Sequence, residues 1–373
     1  MPGLYLHIPF CKQACHYCNF HFSTSLKYKG ELVQALLREM ELQRDYLGGA
    51  TLNTIYFGGG TPSLLSGDEL QMIFDQIYRL FPVVAEPEIT FEANPDDLTQ
   101  EKVDILQKSP VNRLSIGIQS FSEEDLRFMN RAHSAEEATT CLKRARDAGF
   151  ENITIDLIYG SPTTSDAQWT NNLDLFFGFD LPHLSPYCLT VESKTALDHF
   201  VKKGKVPPVD EEKASRQFEY LMDAMAARGY EHYEISNFAK PGRHSKHNSS
   251  YWLGEPYLGI GPAAHSFNGD TRQWNIANNA RYLQTLSEGR LAFELETLTP
   301  ANRFNEYVMT SLRTQWGCNL AHIQSLPEDF SNHFLASIQR FVAEGQVVRQ
   351  GDVFTLSRQG KLVADHIAAE CFV

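Results

Sequence analysis

The sequence predicts an α/β fold: a partial, TIM-like (β/α)6 barrel followed by a mostly helical, winged-helix-like C-terminal domain. Short β-rich apolar runs alternate with helical patterns over about the first 190 residues, which is the arrangement of βαβ units and a parallel sheet. Six units are too few for the closed eight-unit barrel of about 250 residues. Helical patterns and a hairpin pattern follow near the end of the chain.

The barrel prediction depends on six strand candidates and five helix candidates. The strands are Leu4–Ile8, Thr54–Phe57, Glu88–Glu92, Arg113–Ile118, Ile153–Leu157 and His183–Thr190. The helices are Lys27–Tyr46, Asp68–Phe81, Gln100–Gln107, Ser134–Ala148 and Asp166–Phe177. Ser66 is a candidate N-cap of the second helix, and Glu69 would complete a capping box.

The pattern changes near residue 192. A basic, Pro-rich linker (Lys202–Pro208) is followed by an amphipathic helix (Asp210–Gly229). A loop-rich stretch with many His, Tyr, Trp and Asn residues then extends from Tyr230 to about Asn279. The last elements are two helices (Asn302–Gln315 and Ser331–Glu344) and a hairpin over 347–356 with Gly351 near its turn. We therefore expect a barrel over 1–192, a linker, helix and aromatic-rich region over 193–298, and a winged-helix-like domain over 299–373.

Composition restricts the classes of function. The chain is 42% hydrophobic and 21% charged, with a net charge of −13, which is typical of a globular protein and argues against broad binding to nucleic acid. No apolar run approaches about 18 residues, so we expect no membrane anchor. The first apolar stretch carries His7 and Pro9, unlike a signal peptide. We expect a cytoplasmic protein, since that compartment keeps thiols reduced.

Three of the seven cysteines lie within eight residues: Cys11, Cys15 and Cys18, in a Cys-x3-Cys-x2-Cys spacing. Three thiolates can hold three irons of a 4Fe–4S cluster and leave the fourth iron without a protein ligand. A zinc site completed by a nearby histidine is an alternative, although zinc ligands usually come as two separated pairs. A disulfide framework would leave one cysteine unpaired and is typical of short secreted chains.

Polar motifs follow the predicted strands at the same edge of the sheet. They are the cysteine loop, Gly58-Gly59-Gly60-Thr61-Pro62, Glu92-Ala93-Asn94-Pro95, Gly117-Ile118-Gln119-Ser120-Phe121, and Asp156 before Tyr159-Gly160. Because functional groups collect at the carboxyl ends of barrel strands, we expect these motifs to form one site that faces the cluster.

Together these motifs resemble the radical S-adenosylmethionine (radical SAM) superfamily. Within it the chain resembles the branch of oxygen-independent coproporphyrinogen III oxidase, and most closely its haem-chaperone relatives. The likeness extends nearly to the end of the chain, through Asn130-Arg131-Ala132-His133, the run 230–238 and Gly261-Pro262-Ala263-Ala264-His265-Ser266-Phe267.

The resemblance implies which residues form the site. Cys11, Cys15 and Cys18 would hold the cluster, whose open iron would bind SAM and deliver the electron that cleaves it to a 5′-deoxyadenosyl radical. The positions that match SAM contacts of the family are Tyr5, Tyr17, Gly60, Thr61, Glu92, Gln119, Arg131 and Asp156.

Two departures distinguish the chain from the oxidase. Phe20 stands where the oxidase has a further cysteine, and the first predicted strand begins at about Leu4, which would leave no room for the oxidase's N-terminal extension. Both argue against porphyrinogen decarboxylation. The motif His247-Asn248-Ser249-Ser250-Tyr251-Trp252 resembles a feature of the haem-binding branch. Imidazole is a common haem ligand, and aromatic rings offer flat apolar surface.

The leading hypothesis is therefore a haem chaperone that passes haem to a haem-requiring acceptor, for which a membrane respiratory complex is one candidate. Its haem site would use His247, Tyr251 and Trp252, with His265 as a second candidate ligand. His232 and the stretch Arg272–Asn275 would line the pocket. Two alternatives stay open: the oxidase itself, and radical SAM modification of RNA, which the acidic charge disfavours.

Overall fold

Strands and helices alternate along the first half of the chain, as the sequence predicts. The structure, a computed structural model, describes residues 2–373. Its strands are β1 (Gly3–Ile8), β2 (Leu52–Gly59), β3 (Val83–Ala93), β4 (Arg113–Gln119), β5 (Ile153–Tyr159), β6 (His183–Cys188), β7 (Glu231–Glu234), β8 (Asn237–Ala239), β9 (Tyr257–Ile260), β10 (His265–Phe267), β11 (Thr271–Asn275), β12 (Phe293–Thr297), β13 (Cys318–Asn319), β14 (Val347–Gln350) and β15 (Val353–Leu356).

The helices pack around the main sheet and form most of the C-terminal region. They are α1 (Lys29–Leu42), α2 (Gly67–Leu80), α3 (Gln100–Lys108), α4 (Glu123–Phe128), α5 (Ala135–Asp147), α6 (Asp166–Gly178), α7 (Ala196–Lys202), α8 (Glu211–Ala226), α9 (Lys246–Trp252), α10 (Asn279–Ser287), α11 (Pro300–Leu312), α12 (Leu320–Gln324), α13 (Glu328–Ala343), α14 (Arg358–Lys361) and α15 (Ala364–Glu370). The predicted capping box at Ser66 and Glu69 is present at the start of α2.

Strands β1 to β6 lie side by side in chain order, and all are parallel. Six parallel strands with helices between them confirm the predicted partial barrel. Residues that face outward, such as Ile55 and Leu114, are fully buried against the helices. Residues that face inward are largely polar, so the interior of the barrel can hold a polar ligand.

The prediction of a loop-rich stretch from Tyr230 to Asn279 was wrong. Strands β8 and β7 extend the sheet beyond β6, and β9, β10, β11 and β12 extend it beyond β1. β9 runs parallel to β1, whereas β8 runs antiparallel to β6. The core of the barrel continues through this part of the chain, to Tyr282 and Leu286. The division of the chain at 192 and 298 stays a prediction.

Helix α9 closes the amino end of the barrel. The carboxylate of Glu88, near the middle of β3, accepts hydrogen bonds from the backbone N–H groups of Lys246 and His247, at 3.0 and 2.9 Å. Because these groups at the start of a helix lack partners within it, Glu88 fixes α9 against the barrel. The side chain of His247 consequently points into the barrel.

The C-terminal region has its own hydrophobic core, from Phe304 to Cys371. Strands β14 and β15 form the predicted hairpin, in which Gly351 has a φ of +62°, and β13 pairs with the other edge of β15. Helices with a small three-stranded sheet give the predicted winged-helix-like form. In the part of the chain that the structure covers, no helix is both long and apolar enough to cross a bilayer.

Candidate functional site

The three clustered cysteines lie in the loop after β1 and line one cavity of about 530 Å³ at the carboxyl edge of the barrel. All three are free thiols. Burial raises the pKa of Cys11 to about 11, so this thiol keeps its proton until a metal displaces it. The three sulfur atoms form a donor set at the mouth of a polar cavity.

The zinc alternative gains no support from the histidines. His7 is hydrogen-bonded through Nε2 to the backbone oxygen of His21, and His16 through Nδ1 to that of Phe128. Among residues 2–373, no three His, Cys, Asp or Glu side chains are arranged to hold a single metal ion. A cubane cluster is larger than one ion, and the cavity beside the cysteines provides room for it.

The glycine run after β2 lets two backbone segments meet beside the cysteines. A Cβ atom on Gly60 would lie 2.6 Å from the backbone oxygen of Phe10 and 2.8 Å from its nitrogen. Any other residue at this position would push the cysteine loop away. Thr61 follows, buried, and its hydroxyl accepts a hydrogen bond of 3.2 Å from Asn94.

Arg131 joins the cysteine loop to the strand ends. Its guanidinium donates to the Sγ of Cys15 at 3.3 Å, to the Oδ1 of Asn94 at 2.7 Å and to the backbone oxygen of Gly117 at 2.8 Å. Its Nε is buried without a protein partner among the described residues. The half-buried cation therefore keeps one donor available to a ligand.

Two carboxyl groups face the cavity from neighbouring parts of the barrel. Glu92 is the penultimate residue of β3 and accepts a hydrogen bond of 2.7 Å from the Tyr56 hydroxyl, and Asp156 lies in β5. Burial raises the pKa of each to about 7. Near neutral pH the protonation of both carboxyls therefore depends on the charges around them, and a cationic ligand would favour their ionised form.

The structure brings most of the predicted SAM residues together. The same cavity is lined by Tyr17, Gly60, Thr61, Glu92, Gln119, Arg131 and Asp156. Gln119 adopts a φ of +65°, a conformation that costs free energy in a residue with a side chain and is often found at functional sites. Tyr5 is the exception, because it lines a neighbouring cavity.

Other residues of this cavity were not among the predicted contacts. Asn94, Ser115 and Tyr187 also line it. The alternation of side chains along β4 could have identified Ser115 as a residue of the cavity, because it shares the inward face of the strand with Gly117. Tyr187 lies at the end of β6, where no polar motif marks the strand end.

A second, larger cavity of about 1330 Å³ lies between the barrel edge, α9 and the C-terminal region. Its aromatic lining includes Tyr251, Trp252, Phe267 and Trp316, and Tyr5, His265 and Arg272 also contribute. Asn19 and Phe20 line both cavities. The cysteine loop therefore separates the two cavities, and Phe20 is exposed between them.

The structure does not place His247 in position to bind haem iron. The residue is 1% exposed. Its Nδ1 is hydrogen-bonded to the Thr54 hydroxyl at 2.7 Å and its Nε2 to the Tyr251 hydroxyl at 2.8 Å. Its ring stacks on Tyr56 inside the barrel. Both ring nitrogens are occupied, so the predicted ligand role needs a different residue.

His265 is the predicted haem residue that has an accessible imidazole. It is an exposed residue of β10, lines the larger cavity and stacks on Trp274 at a centroid distance of 6.0 Å. Partial burial of the ring, together with the nearby charge of Arg272, lowers its pKa, which favours the neutral imidazole that a metal binds. His232 instead packs on Phe238, away from the cavity.

Two family models and several known proteins match this chain. Residues 5–176 match the radical SAM superfamily model, and residues 298–363 match the HemN C-terminal domain. The haem chaperone HemW of Bacillus subtilis is 33% identical over 98% of this chain and 98% of its own length. HemW of Escherichia coli is 40% identical over 70% of this chain and 69% of its own length.

A solved structure shows the same fold. The coproporphyrinogen III oxidase HemN from Escherichia coli, described as a radical SAM enzyme, superposes with a TM-score of 0.86. It covers 100% of this chain and 90% of its own, at 23% identity.

Proposed function

The chain belongs to the HemW family of the radical SAM superfamily, and on this basis we propose that it is a haem chaperone. A haem-related role follows from the family. The proposal adds that the chain binds haem beside a SAM-liganded 4Fe–4S cluster and transfers the haem to an acceptor protein.

The cavity beside the cysteines fits a cluster and SAM. Cys11, Cys15 and Cys18 supply three sulfur ligands, and Gly60 leaves the space that a bulkier residue would fill. When bound, such a cluster offers an open iron to SAM and an electron for its cleavage. Arg131 would bind the carboxylate of SAM, and Glu92 and Asp156 would face its cationic and hydroxyl groups.

The larger cavity fits haem. Its volume of about 1330 Å³ exceeds the roughly 300–1,000 Å³ of ordinary ligand pockets. Tyr251, Trp252 and Phe267 would contact the faces of the macrocycle, and His265 would bind its iron. His247 would support this wall indirectly, through its hydrogen bond to Tyr251.

The acceptor is a haem-requiring protein in this proposal. The cavity reaches the surface between the barrel and the C-terminal region, so a partner could take haem there without unfolding of the barrel. A membrane respiratory complex is one class of acceptor. We place the chaperone in the cytoplasm, because a reducing compartment preserves the cysteine ligands.

The observation that carries the proposal is the position of the cysteine loop, whose residues Asn19 and Phe20 line both cavities. The test is an anaerobic hemin titration of cluster-loaded protein. We expect a Soret shift that saturates at about one haem per chain, followed by haem transfer to an apo-haem protein. An unchanged spectrum would contradict the proposal. Conversion of coproporphyrinogen III to protoporphyrinogen IX by the same preparation would favour the oxidase instead.

A further inference from the structure

Arg113 is a cation buried inside the barrel, and the described part of the chain offers its guanidinium no hydrogen bond. It lies at the start of β4 and is 1% exposed. Within residues 2–373, none of its three guanidinium nitrogens has a hydrogen-bond partner. Burying a charge that no hydrogen bond compensates costs several kcal/mol, so an arginine in this place requires an explanation.

The position of Arg113 relates it to the SAM cavity. Side chains alternate along a strand, so Arg113, Ser115 and Gly117 share the inward face of β4. Ser115 and Gly117 line the cavity, and Arg113 lies one step below them. In the sheet register Arg113 pairs with Thr90, two residues before Glu92.

Groups from six elements interact electrostatically with this guanidinium. They are Tyr56 of β2, Glu92 of β3, Asp156 of β5, His183 of β6, Tyr233 of β7 and His247 of α9. Burial raises the pKa of the tyrosines and lowers the pKa of the histidines, so these four are uncharged near neutral pH. Glu92 and Asp156 are left as its anionic partners.

We propose that Arg113 is a positioning residue for SAM: its buried, unbonded guanidinium lies below the cavity on the inward face of β4 and supplies positive charge beneath the carboxyl groups of Glu92 and Asp156, which line the cavity. The inference rests on the proposed SAM site. SAM carries a sulfonium charge and an ammonium group, and it binds more tightly to ionised than to neutral carboxyl groups. Arg113 would therefore set the pH range in which the site accepts SAM.

The other charged groups near the two carboxyls do not replace Arg113. Arg131 also interacts with Asp156, but its guanidinium is already bonded to Cys15, Asn94 and Gly117. The remaining neighbours carry no positive charge. Ser185 and the N–H of Gly59 are uncharged donors. The others are tyrosines, which would add negative charge if they ionised: Tyr5, Tyr17, Tyr56, Tyr187 and Tyr251. Glu92 and Asp156 also repel each other.

The test is calorimetric SAM binding to cluster-loaded protein between pH 6 and pH 8.5. In the wild type, binding should tighten as pH rises through about 7 and then level off. In Arg113→Gln the midpoint should lie at least about one pH unit higher, so binding at pH 7 should be about tenfold weaker and should recover at high pH. Arg113→Lys should restore most of the wild-type profile.

Arg79→Gln is the matched control, because it removes one positive charge from the outer face of α2, where Arg79 pairs with Glu41. Its profile should equal that of the wild type. An unshifted profile in Arg113→Gln, or an equal loss at every pH, would overturn the inference. Absence of SAM binding in the wild type would instead contradict the proposed function.

A charge-balanced variant covers the case in which Arg113→Gln does not fold. If the guanidinium compensates the carboxyls, the double variant Arg113→Gln/Asp156→Asn should regain solubility and cluster loading, as measured by iron content. A double variant as unstable as the single one would contradict the inference.

Discussion

The guanidinium of Arg131 donates a hydrogen bond of 3.3 Å to the Sγ of Cys15, a residue 116 positions earlier in the chain. The same guanidinium holds Asn94, after β3, and Gly117, in β4. One half-buried side chain thus links the cysteine loop to the strand ends that form the rest of the cavity.

We expect Arg131→Leu to weaken SAM binding by more than tenfold, because hydrogen bonds from a charged donor are worth roughly 1.5–3 kcal/mol each. The measurement is SAM calorimetry on cluster-loaded protein. Arg127→Leu is the control, since Arg127 is exposed on α4. SAM affinity in Arg131→Leu equal to that of the wild type would exclude Arg131 from the binding site.

The cysteine assignment can be tested within one cavity, because Cys188 lines it as well. We expect Cys15→Ser to lose most of the iron and the broad visible absorbance after anaerobic reconstitution, since the cluster needs three thiolates. Cys188→Ser should keep both. Equal loss of iron in the two variants would contradict the assignment of the triplet as the ligand set.

The two candidate haem histidines should behave differently when each is replaced by alanine. His265→Ala should shift the Soret band and weaken hemin binding about tenfold, while stability changes little. His247→Ala removes a buried ring that holds Thr54 and Tyr251, so we expect a loss of roughly 2–4 kcal/mol in the free energy of unfolding. Its Soret position should stay that of the wild type. The reverse pattern would restore His247 as the ligand.

The fold and the smaller cavity were largely predictable from sequence. Parallel strands bring their carboxyl ends to one edge, so motifs as distant as Gly60 and Asp156 could be placed together. The strands that flank the six parallel ones were missed, because segments of three to five residues, as in β8 and β11, carry no usable periodicity. Nor could the sequence show which way His247 points, since that depends on Glu88 fixing α9 to the barrel.

Glu39 should give stability a distinctive pH dependence. Its carboxyl is fully buried and bonded to Tyr282, Asn275 and the N–H of Gly261. Burial raises its pKa to about 7 from an ordinary value of 4.5. Between these pH values the folded chain keeps a proton that the unfolded chain releases, so the stability contributed by this group falls as pH rises, and it is constant above about 7.

Glu39→Gln cannot titrate, so it isolates this effect. We expect the wild type to lose roughly 3 kcal/mol of stability relative to Glu39→Gln between pH 4.5 and pH 7, as measured by chemical denaturation. Glu41→Gln is the control: Arg38 and Arg79 lower the pKa of this exposed carboxyl, so its contribution should not fall with rising pH. A difference for Glu39→Gln that is independent of pH would show that its native pKa is ordinary.

Phe20 should serve binding and not folding. Its side chain is 70% exposed and lines both cavities. Removal of an exposed side chain changes stability by no more than about 0.5 kcal/mol, so Phe20→Ala should unfold like the wild type. If haem covers the ring, loss of about 2 kcal/mol of apolar burial should weaken hemin binding tenfold or more, whereas Phe20→Leu should keep most of the affinity.

Leu295→Ala is the matched control, because Leu295 is 57% exposed on β12 and lies outside both cavities. Hemin binding by Phe20→Ala as tight as that of Leu295→Ala would mean that haem does not reach the cysteine loop.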